Sequence, residues 1–418
     1  MNERKNIFVY LDMLDKPVLI GILHSDIVRG KELFSFTGGN DWLNYKEFRL
    51  LDPDLGPFEG QQYVRDGKLN FGLFLDSAPD RWGRQLILRR EALNARREGR
   101  MPCALHESDF LLSVYDGSRM GALRLKLSPG GDFLDNNASQ AVPPWISIRN
   151  LEYASLCLEQ ADSDGREYAK WLALLIAPGS SLGGARPKAN VADSDGHLWI
   201  AKFPSGSDVK DVGAWEKVVN MLAANCGITV PESMSQVFST KQHTFLTRRF
   251  DRIADSRRIH FASAMTLLGV QDGADYITGV SYLDIAGIIV RYGAEVERNL
   301  EELWRRMIFN IAVSNCDDHL RNHGFLLTPA GWVLSPAYDM NPDETGTGLK
   351  LAILENNNSL DFDLALEASS FFRLSLEKAK SILGEVRNAV AHWRSAAIVC
   401  GISREEQERL EPAFRQRQ

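Results

Sequence analysis

A short polar stretch between an apolar helix and a β-hairpin constrains this chain more than any other feature. An apolar stripe over residues 300–311 predicts a buried helix, with Asn299 as its N-cap and Glu302 completing a capping box. Residues 315–324 then read Asn-Cys-Asp-Asp-His-Leu-Arg-Asn-His-Gly. A loop so rich in carboxylate, imidazole and amide groups, directly after a buried helix, is typical of a binding or catalytic site.

A predicted β-hairpin, residues 325–334, follows this polar stretch and leads to Asp339. Asp317 and Asn322 have the Asp-x-x-x-x-Asn spacing of the protein-kinase catalytic loop, and Asp339 follows a hairpin as the metal-binding Asp of kinases does. Phosphoryl transfer needs one carboxylate to take up the hydroxyl proton and further oxygen ligands to hold Mg²⁺. The order of these residues therefore predicts a phosphotransferase.

Two other interpretations of the same stretch stay open at this point. The residues also fit a solvated acidic loop in which Asp and Asn side chains only cap turns. Cys316, His319 and His323 are zinc-ligand types, but the sequence contains no second cysteine cluster that would close a zinc site.

Residues 178–188, upstream of this stretch, form a glycine-rich segment that reads Pro-Gly-Ser-Ser-Leu-Gly-Gly-Ala-Arg-Pro-Lys. Glycine lets backbone N–H groups approach a phosphate closely, and serine hydroxyls can donate to it as well. The segment lacks the P-loop NTPase pattern, and by itself it fits a flexible surface turn better. Lys202 on a predicted strand and Glu216 on the next predicted helix match the Lys–Glu pair of kinases, with two separate surface charges as the alternative.

A predicted strand over residues 244–247 runs into an arginine-rich stretch that begins at Arg248. The backbone at such a strand end could bond the edge of an adenine. The arginines could instead form a patch for an acidic partner. The residues alone do not decide between these two interpretations.

Composition and charge exclude several classes of protein. The chain has 48 Lys and Arg against 55 Asp and Glu, so its net charge of −7 disfavours nucleic-acid binding by bulk charge. Its five cysteines are widely spread and odd in number, which indicates reduced thiols in a cytoplasmic protein. No apolar run approaches about 18 residues and no apolar signal core follows the first residues, so we expect neither a membrane span nor export.

Taken in order, five short motifs resemble the HipA family of bacterial serine/threonine kinases, the toxin halves of HipA–HipB toxin–antitoxin pairs. The motifs are Ser-Leu-Gly-Gly-Ala-x-x-Lys at 181–188, Ile-Ala-Lys-Phe-Pro at 200–204, Arg-Phe-Asp-Arg at 249–252, Asn-Cys-Asp-Asp-His-x-x-Asn at 315–322 and Pro-Ala-Tyr-Asp at 336–339. The N-terminal part is also similar to the family's leading β subdomain, including Asp-Ser-Ala-Pro-Asp at 76–80. The resemblance therefore spans nearly the whole chain.

The element order predicts an α+β fold, and the resemblance implies a bilobal kinase-like body. We expect a β-rich N-terminal subdomain at 1–130, a kinase N-lobe with the glycine-rich loop at 145–250, and a mainly helical C-terminal lobe with the catalytic loop and metal-binding Asp at 251–418.

The resemblance also implies a role for each matching residue. Asp317 would be the catalytic base, and Asn322 and Asp339 would hold Mg²⁺. The residues implied in ATP binding are Ser181, Gly183, Gly184, Ala185, Lys188, Lys202, Glu216, Arg248, Phe250, Asp251 and His319. Among these, Lys202 would contact the phosphates with Glu216 as its partner, and Asp251 would lie near the ribose.

Members of this family phosphorylate a serine in their own glycine-rich loop, which expels the loop and ends activity. The matching residue is Ser181, with Ser180 beside it as the rival. A phosphate dianion placed where the ATP phosphates bind would repel them. The loop also differs from the family pattern at Asp318, which adds a charge beside the proposed base.

The resemblance implies a kinase toxin that inhibits growth by phosphorylating a translation-related protein, by analogy an aminoacyl-tRNA synthetase. A HipB-like antitoxin would be its partner, and DNA would be contacted only through that antitoxin. Two alternatives are a kinase-like scaffold that acts mainly as an antitoxin-binding co-repressor, and a small-molecule kinase.

Overall fold

The chain folds into two compact units whose residues alternate along the sequence. A computed structural model describes residues 4–13, 16–43, 50–65, 67–137, 142–160, 166–179, 184–253 and 257–415. The first unit comprises Met1–Ser207, Phe238–Lys241 and Asp251–Ala262, and the second comprises Asp208–Val237, Gln242–Phe250 and Ser263–Gln418. The three-part division expected from the sequence stays a prediction.

The first unit contains an antiparallel five-stranded sheet. Its strands are β1 (Arg4–Leu11), β2 (Val18–Val28), β3 (Lys31–Gly38), β4 (Gln61–Tyr63) and β5 (Leu123–Lys126), in the order β4-β3-β2-β1-β5. Ile7, Val9 and Leu11 alternate along β1 and are buried, as the period of a half-buried strand requires. At Gly21 a side chain would collide with the Phe36 ring of the neighbouring strand, so glycine permits this close packing.

Among its described residues, the first unit also contains six α-helices and a hairpin. The helices are α1 (Asn40–Leu43), α2 (Gly72–Leu75), α3 (Arg81–Glu98), α4 (Glu107–Leu112), α5 (Ile148–Gln160) and α6 (Arg166–Gly179). Asp80 is the N-cap of α3 and Gly99 ends it in a left-handed conformation, φ 66°. The hairpin pairs β6 (Lys188–Ala192) with β7 (Leu198–Lys202).

The second unit is mainly helical. Its helices are α7 (Val212–Asn225), α8 (Ala264–Leu268), α9 (Tyr282–Tyr292), α10 (Val296–Ala312), α11 (Phe362–Ala368), α12 (Leu376–Ala391), α13 (Trp393–Val399) and α14 (Arg404–Leu410). Two antiparallel strand pairs accompany them, β8 (Ser233–Val237) with β9 (His243–Arg248) and β11 (Gly324–Thr328) with β12 (Gly331–Leu334). In the short strand β10 (Phe261–Ser263), the first two residues belong to the first unit and Ser263 belongs to the second.

Helix α10 is the apolar helix predicted before the polar loop, but it begins earlier than the sequence suggested. Its N-cap is Glu295, so the prediction that Asn299 caps the helix is wrong. The Asn299 amide donates to the carbonyls of Ala294 and Glu295, and its oxygen accepts from the Leu334 N–H at 2.9 Å. Asn299 therefore connects the first turn of α10 to the end of β12.

The combination of helices and antiparallel sheets confirms the α+β class. Across the described residues, no helix combines the length and apolar character needed to cross a membrane.

Candidate functional site

The polar loop leaves α10 through a tight, buried turn. Ser314 adopts a left-handed conformation, φ 48°, which is uncommon for a residue other than glycine. The next residue, Asn315, donates from its side chain to the Asn310 Oδ1 at 3.0 Å, and both residues are buried. The start of the loop is therefore fixed to the last turns of α10.

Asp317 and Asn322 lie on this loop and are joined by a hydrogen bond. The Asn322 side-chain amide donates to the Asp317 carbonyl oxygen at 2.8 Å, and the Asn322 N–H donates to the His319 carbonyl at 2.8 Å. Asp317 itself is exposed, so its carboxylate is accessible to a substrate. Because the amide nitrogen of Asn322 is engaged, its Oδ1 is the atom available to a ligand.

The segment that carries Asp339 is bonded to the same loop on both sides. The Tyr338 hydroxyl donates to the Arg321 carbonyl at 2.6 Å, and the Asn341 N–H donates to the Asn315 Oδ1 at 3.3 Å. Between these bonds, Asp339 has φ 57°, a left-handed conformation that non-glycine residues adopt rarely and often at functional sites. The second unit therefore brings Asp317, Asn322 and Asp339 into one bonded group of segments.

The oxygen donors of this group fit a hard divalent cation. A carboxylate and an amide oxygen are ligands that Mg²⁺ prefers. The zinc alternative is not supported, since the possible ligand atoms of Cys316, His319 and His323 do not form a cluster. In the described parts of the chain, the group of such residues that does converge is Asp193, Asp195 and His197 in the first unit.

Asp318, which sequence reasoning left without a role, is a buried structural carboxylate. It is 1% exposed, and it accepts from the Tyr282 hydroxyl and from the Lys350 N–H, both at 2.6 Å. Burial raises the pKa of this carboxyl from 3.8 to about 7. The Tyr282 hydroxyl in turn accepts from the Asn310 amide at 2.9 Å, so a buried polar chain runs beneath the loop.

The two histidines of the loop differ in environment. His323 is buried, its Nε2 is 3.3 Å from the Asp318 carbonyl oxygen, and burial lowers its pKa to about 3. His323 is therefore neutral at physiological pH. His319 is half-buried, and within the described residues its Nδ1 lacks a hydrogen-bond partner.

Phe250 lies against the same segment of the second unit. Its ring is 5.6 Å from that of Tyr338 and tilted by 37°, so it packs on the residue that precedes Asp339. Arg248, two residues earlier at the end of β9, donates from its backbone to the Glu232 carbonyl at 2.8 Å, and its guanidinium lies 3.4 Å from the Glu232 carboxylate.

Glu216 occupies the second turn of α7 and is 5% exposed. The N-cap of this helix is Asp211, whose Oδ1 accepts from the Ala214 N–H at 3.1 Å. The same carboxylate also contacts the His243 ring nitrogen at 2.6 Å, which raises the pKa of His243. The position of Glu216 therefore depends on a well-fixed helix start.

The remaining predicted ATP-binding residues belong to the first unit. Lys188 and Lys202 are opposite one another in the β6–β7 register, so their side chains emerge on the same face of the hairpin. Gly184 has φ 87°, and a side chain there would meet the Lys188 ammonium. Ala185 is exposed, whereas Ser180, Ser181 and Gly183 lie outside the described residues.

Asp80 and Trp82 fix the end of the glycine-rich loop, a contact that sequence reasoning missed. The Gly184 N–H donates to the Asp80 carboxylate at 2.5 Å, and the Trp82 N–H donates to the Gly184 carbonyl at 3.2 Å. The Trp82 indole also donates to the Lys188 carbonyl at 3.0 Å. Asp80 ends the Asp-Ser-Ala-Pro-Asp motif noted in the sequence, but nothing in that motif indicates its partner.

Asp251 is almost fully buried in the first unit. Its carboxylate accepts from the Gly121 N–H at 2.8 Å and from the Arg252 guanidinium at 2.6 Å. These bonds pair the buried carboxylate within the first unit. The ribose contact expected of it stays a prediction.

The fold of the chain is similar to that of a solved HipA structure. A solved structure of the Shewanella oneidensis toxin–antitoxin system HipA, HipB and its operator DNA has a TM-score of 0.66 and 16% sequence identity, and the match covers 98% of this chain and 95% of that one. At this identity the similarity establishes the fold alone.

Sequence similarity assigns the family. The HipA-like C-terminal domain family matches residues 180–393, which is more than half of the 418 residues. The chain therefore belongs to the HipA-like C-terminal domain family, as the motifs predicted.

Two curated proteins are also similar to this chain. A Haemophilus influenzae protein named "Putative kinase" is 27% identical over 179 residues, 38% of this chain and 52% of that protein. The Sinorhizobium fredii protein "Putative kinase Y4mE" is 28% identical over 182 residues, 38% of this chain and 41% of that protein. The chain spans about half the length of these relatives.

Proposed function

We propose that this protein is a HipA-type serine/threonine protein kinase that uses ATP and Mg²⁺. The observation that carries the proposal is the hydrogen bonding between the segments that bear Asp317, Asn322 and Asp339. These segments carry an exposed carboxylate, an amide oriented by its bond to the Asp317 carbonyl, and a second carboxylate between two residues that bond the same loop. This is the set of groups that phosphoryl transfer to a hydroxyl requires.

In the proposed reaction, the Asp317 carboxylate takes up the proton of a serine or threonine hydroxyl. The hydroxyl oxygen bonds to the γ-phosphorus of ATP as the bond from that phosphorus to the β–γ bridging oxygen breaks, and ADP leaves. Asn322 and Asp339 would hold Mg²⁺, whose positive charge would offset the negative charge of the phosphates.

The proposed ATP contacts follow the resemblance. Lys202, with Glu216 as its partner, and Lys188 would meet the phosphates together with the backbone of Gly183, Gly184 and Ala185. Lys188 and Lys202 lie opposite one another in the β6–β7 register, which would allow both side chains to meet one polyanion. The backbone of Arg248 and Phe250 would meet the adenine, Asp251 the ribose, and His319 would complete the site.

We further propose that the kinase phosphorylates itself on Ser181 or Ser180 and thereby ends its own activity. Its substrate would be a translation-related protein in the cytoplasm, an aminoacyl-tRNA synthetase by analogy, and its modification would inhibit growth. A HipB-like antitoxin would bind the kinase and provide its contact with DNA, since the net charge of −7 disfavours direct DNA binding.

Mass spectrometry of the intact protein and its peptides after incubation with Mg-ATP tests this proposal. We expect phosphate on the peptide that contains Ser180 and Ser181 in the wild type. In Asp317→Asn the modification rate should fall by about 10²-fold or more, because the base is lost. Glu367→Gln replaces an exposed carboxylate on α11 of the same unit and should match the wild type.

Two results would contradict the proposal. ATP binding without phosphate on any protein, starting from verified unmodified chain, would favour the antitoxin-binding scaffold. Transfer to a metabolite but to no protein would favour a small-molecule kinase.

A further inference from the structure

We propose that Glu406 and Arg415 are positioning residues that hold two parts of the candidate site in place. They belong to residues 403–415, here named the 403–415 segment, which comprises α14 and the turn after it. The proposal rests on the proposed function, because that function gives Glu216 and Asp317 their roles. In this proposal, the 403–415 segment connects the helix that bears Glu216 to the loop that bears Asp317.

Glu406 bonds the first turn of α7. Its Oε1 accepts from the Asp211 N–H at 2.7 Å and from the Trp215 indole N–H at 2.8 Å. Asp211 is the N-cap of α7, and Trp215 immediately precedes Glu216 in the sequence. Two bonds on one turn fix both the position and the rotation of the helix start, and therefore the direction in which Glu216 points.

Aromatic packing strengthens the same connection. The Phe414 ring stacks on Trp393 at 4.3 Å with an interplanar angle of 4°, and lies 5.8 Å from the ring of Trp215. Trp215 is fully buried and Phe414 is 7% exposed. Large buried aromatic rings contribute strongly to packing, so the end of the segment is held firmly beside α7.

Arg415 bonds the other part of the site, the turn from which the polar loop begins. Its N–H donates to the Ala312 carbonyl at 2.8 Å, at the last turn of α10. Its guanidinium donates to the Ser314 hydroxyl at 3.0 Å and to the Gly346 carbonyl at 3.2 Å. Ser314 is the left-handed residue of that turn, three positions before Asp317.

The segment therefore fixes both Glu216 and Asp317 through their neighbours. Among the residues that the structure describes, neither Glu406 nor Arg415 bonds one assigned to the chemistry itself, which makes them positioning residues. Misplacing a reacting group by about 1 Å can cost about 10²-fold in rate, so loss of these bonds should reduce activity without removing any catalytic group.

The test compares steady-state kinetics of Glu406→Ala, Glu406→Gln and Arg415→Ala in the full chain. Glu406→Gln keeps an oxygen acceptor and should retain wild-type kinetics. Glu406→Ala should raise the KM for ATP about tenfold, since the proposed function makes Glu216 the partner of Lys202, and Arg415→Ala should lower kcat about tenfold. Glu405→Ala and Arg404→Ala, at exposed positions of the same helix, are the matched controls.

Hydrogen exchange separates this proposal from the proposed function. We expect faster amide exchange at residues 212–219 in Glu406→Ala and at 314–323 in Arg415→Ala, with neither change in the controls. If the wild type transfers no phosphate, the proposed function fails while these exchange results still decide the positioning role. Unchanged exchange in both regions, or kinetics equal to the controls, would overturn the proposal.

Discussion

Two neighbouring aspartates of the polar loop have opposite environments. Asp317 is exposed, whereas Asp318 is 1% exposed and bonded to the Tyr282 hydroxyl and the Lys350 N–H. The sequence predicted the importance of the loop from its polarity and spacing. It could not separate the two roles, because an irregular loop has no period that indicates which side chains point inward, and Tyr282 and Lys350 are more than 30 residues away.

Asp318 should make stability depend on pH with a definite sign. Its pKa in the folded chain is about 7 against an ordinary 3.8, because burial disfavours the charged form. The folded state therefore binds the proton more tightly, and this contribution to stability is full below the ordinary pKa and is lost as pH rises towards 7. Relative to Asp318→Asn, the wild type should lose roughly 2 kcal/mol of unfolding free energy between about pH 5 and about pH 8.

Urea unfolding of both proteins across this range measures that difference. His323, with its pKa lowered to about 3, contributes the opposite slope, since it stabilises the folded state more as pH rises. It is present in both proteins, so its contribution cancels in the comparison. A difference between the proteins that stays constant with pH would contradict the assignment of the buried titrating group to Asp318.

At the scale of elements, local sequence patterns were sufficient to predict the helices and strands whose structure is determined by neighbouring residues. The predicted hairpin at 325–334 corresponds to β11 and β12, and the predicted helix that carries Glu216 corresponds to α7. The start of α10 was predicted wrongly because Asn299 has a typical capping side chain, but the Leu334 N–H engages its oxygen instead. Such a long-range partner cannot be derived from residues 299–302.

The contact between α3 and the glycine-rich loop leads to a prediction about one N-cap. Asp80→Ala should remove both the cap of α3 and the bond to the Gly184 N–H, and should destabilise the chain by about 1 to 2 kcal/mol. Amide exchange at residues 184–188 should accelerate. Asp80→Asn keeps an oxygen acceptor and should therefore show smaller effects than Asp80→Ala. Some weakening should remain, because the bond from the Gly184 N–H then lacks charge assistance.

Asp361→Ala is the control for Asp80→Ala, since Asp361 caps α11 in the second unit and accepts from the Asp363 N–H at 2.8 Å. It should destabilise the chain by a similar amount but leave exchange at 184–188 unchanged. Equal exchange in Asp80→Ala and wild type would show that Asp80 does not hold the loop.

For the whole molecule, structure and sequence similarity extend over different parts of the chain. The fold match covers 98% of the chain, whereas the family match begins at residue 180. The five-stranded sheet of the first unit is therefore related to HipA by its fold at low sequence identity. A strand such as β1 requires only that buried and exposed side chains alternate, so it tolerates many substitutions. The loop motifs require particular side chains.

Binding of Mg-ATP should stabilise the molecule as a whole against thermal unfolding. A ligand that binds only the folded state adds about 2.7 kcal/mol when its concentration is 100 times its Kd. We expect Mg-ATP to raise the Tm of the wild type, and chelation of Mg²⁺ by EDTA to remove most of the increase. Asp339→Asn should behave with Mg-ATP as the wild type does with EDTA, because its amide lacks the charge that holds the cation.

Glu367→Gln, which leaves the candidate site intact, should keep the full increase in Tm. The experiment follows binding, so it does not depend on whether phosphate is transferred. The same increase in the wild type with and without Mg²⁺ would contradict a metal role for Asp339. An increase that needs Mg²⁺ but persists in Asp339→Asn would show that the cation is held by other oxygen donors. Asp339 would then need another explanation for its left-handed backbone, at φ 57°.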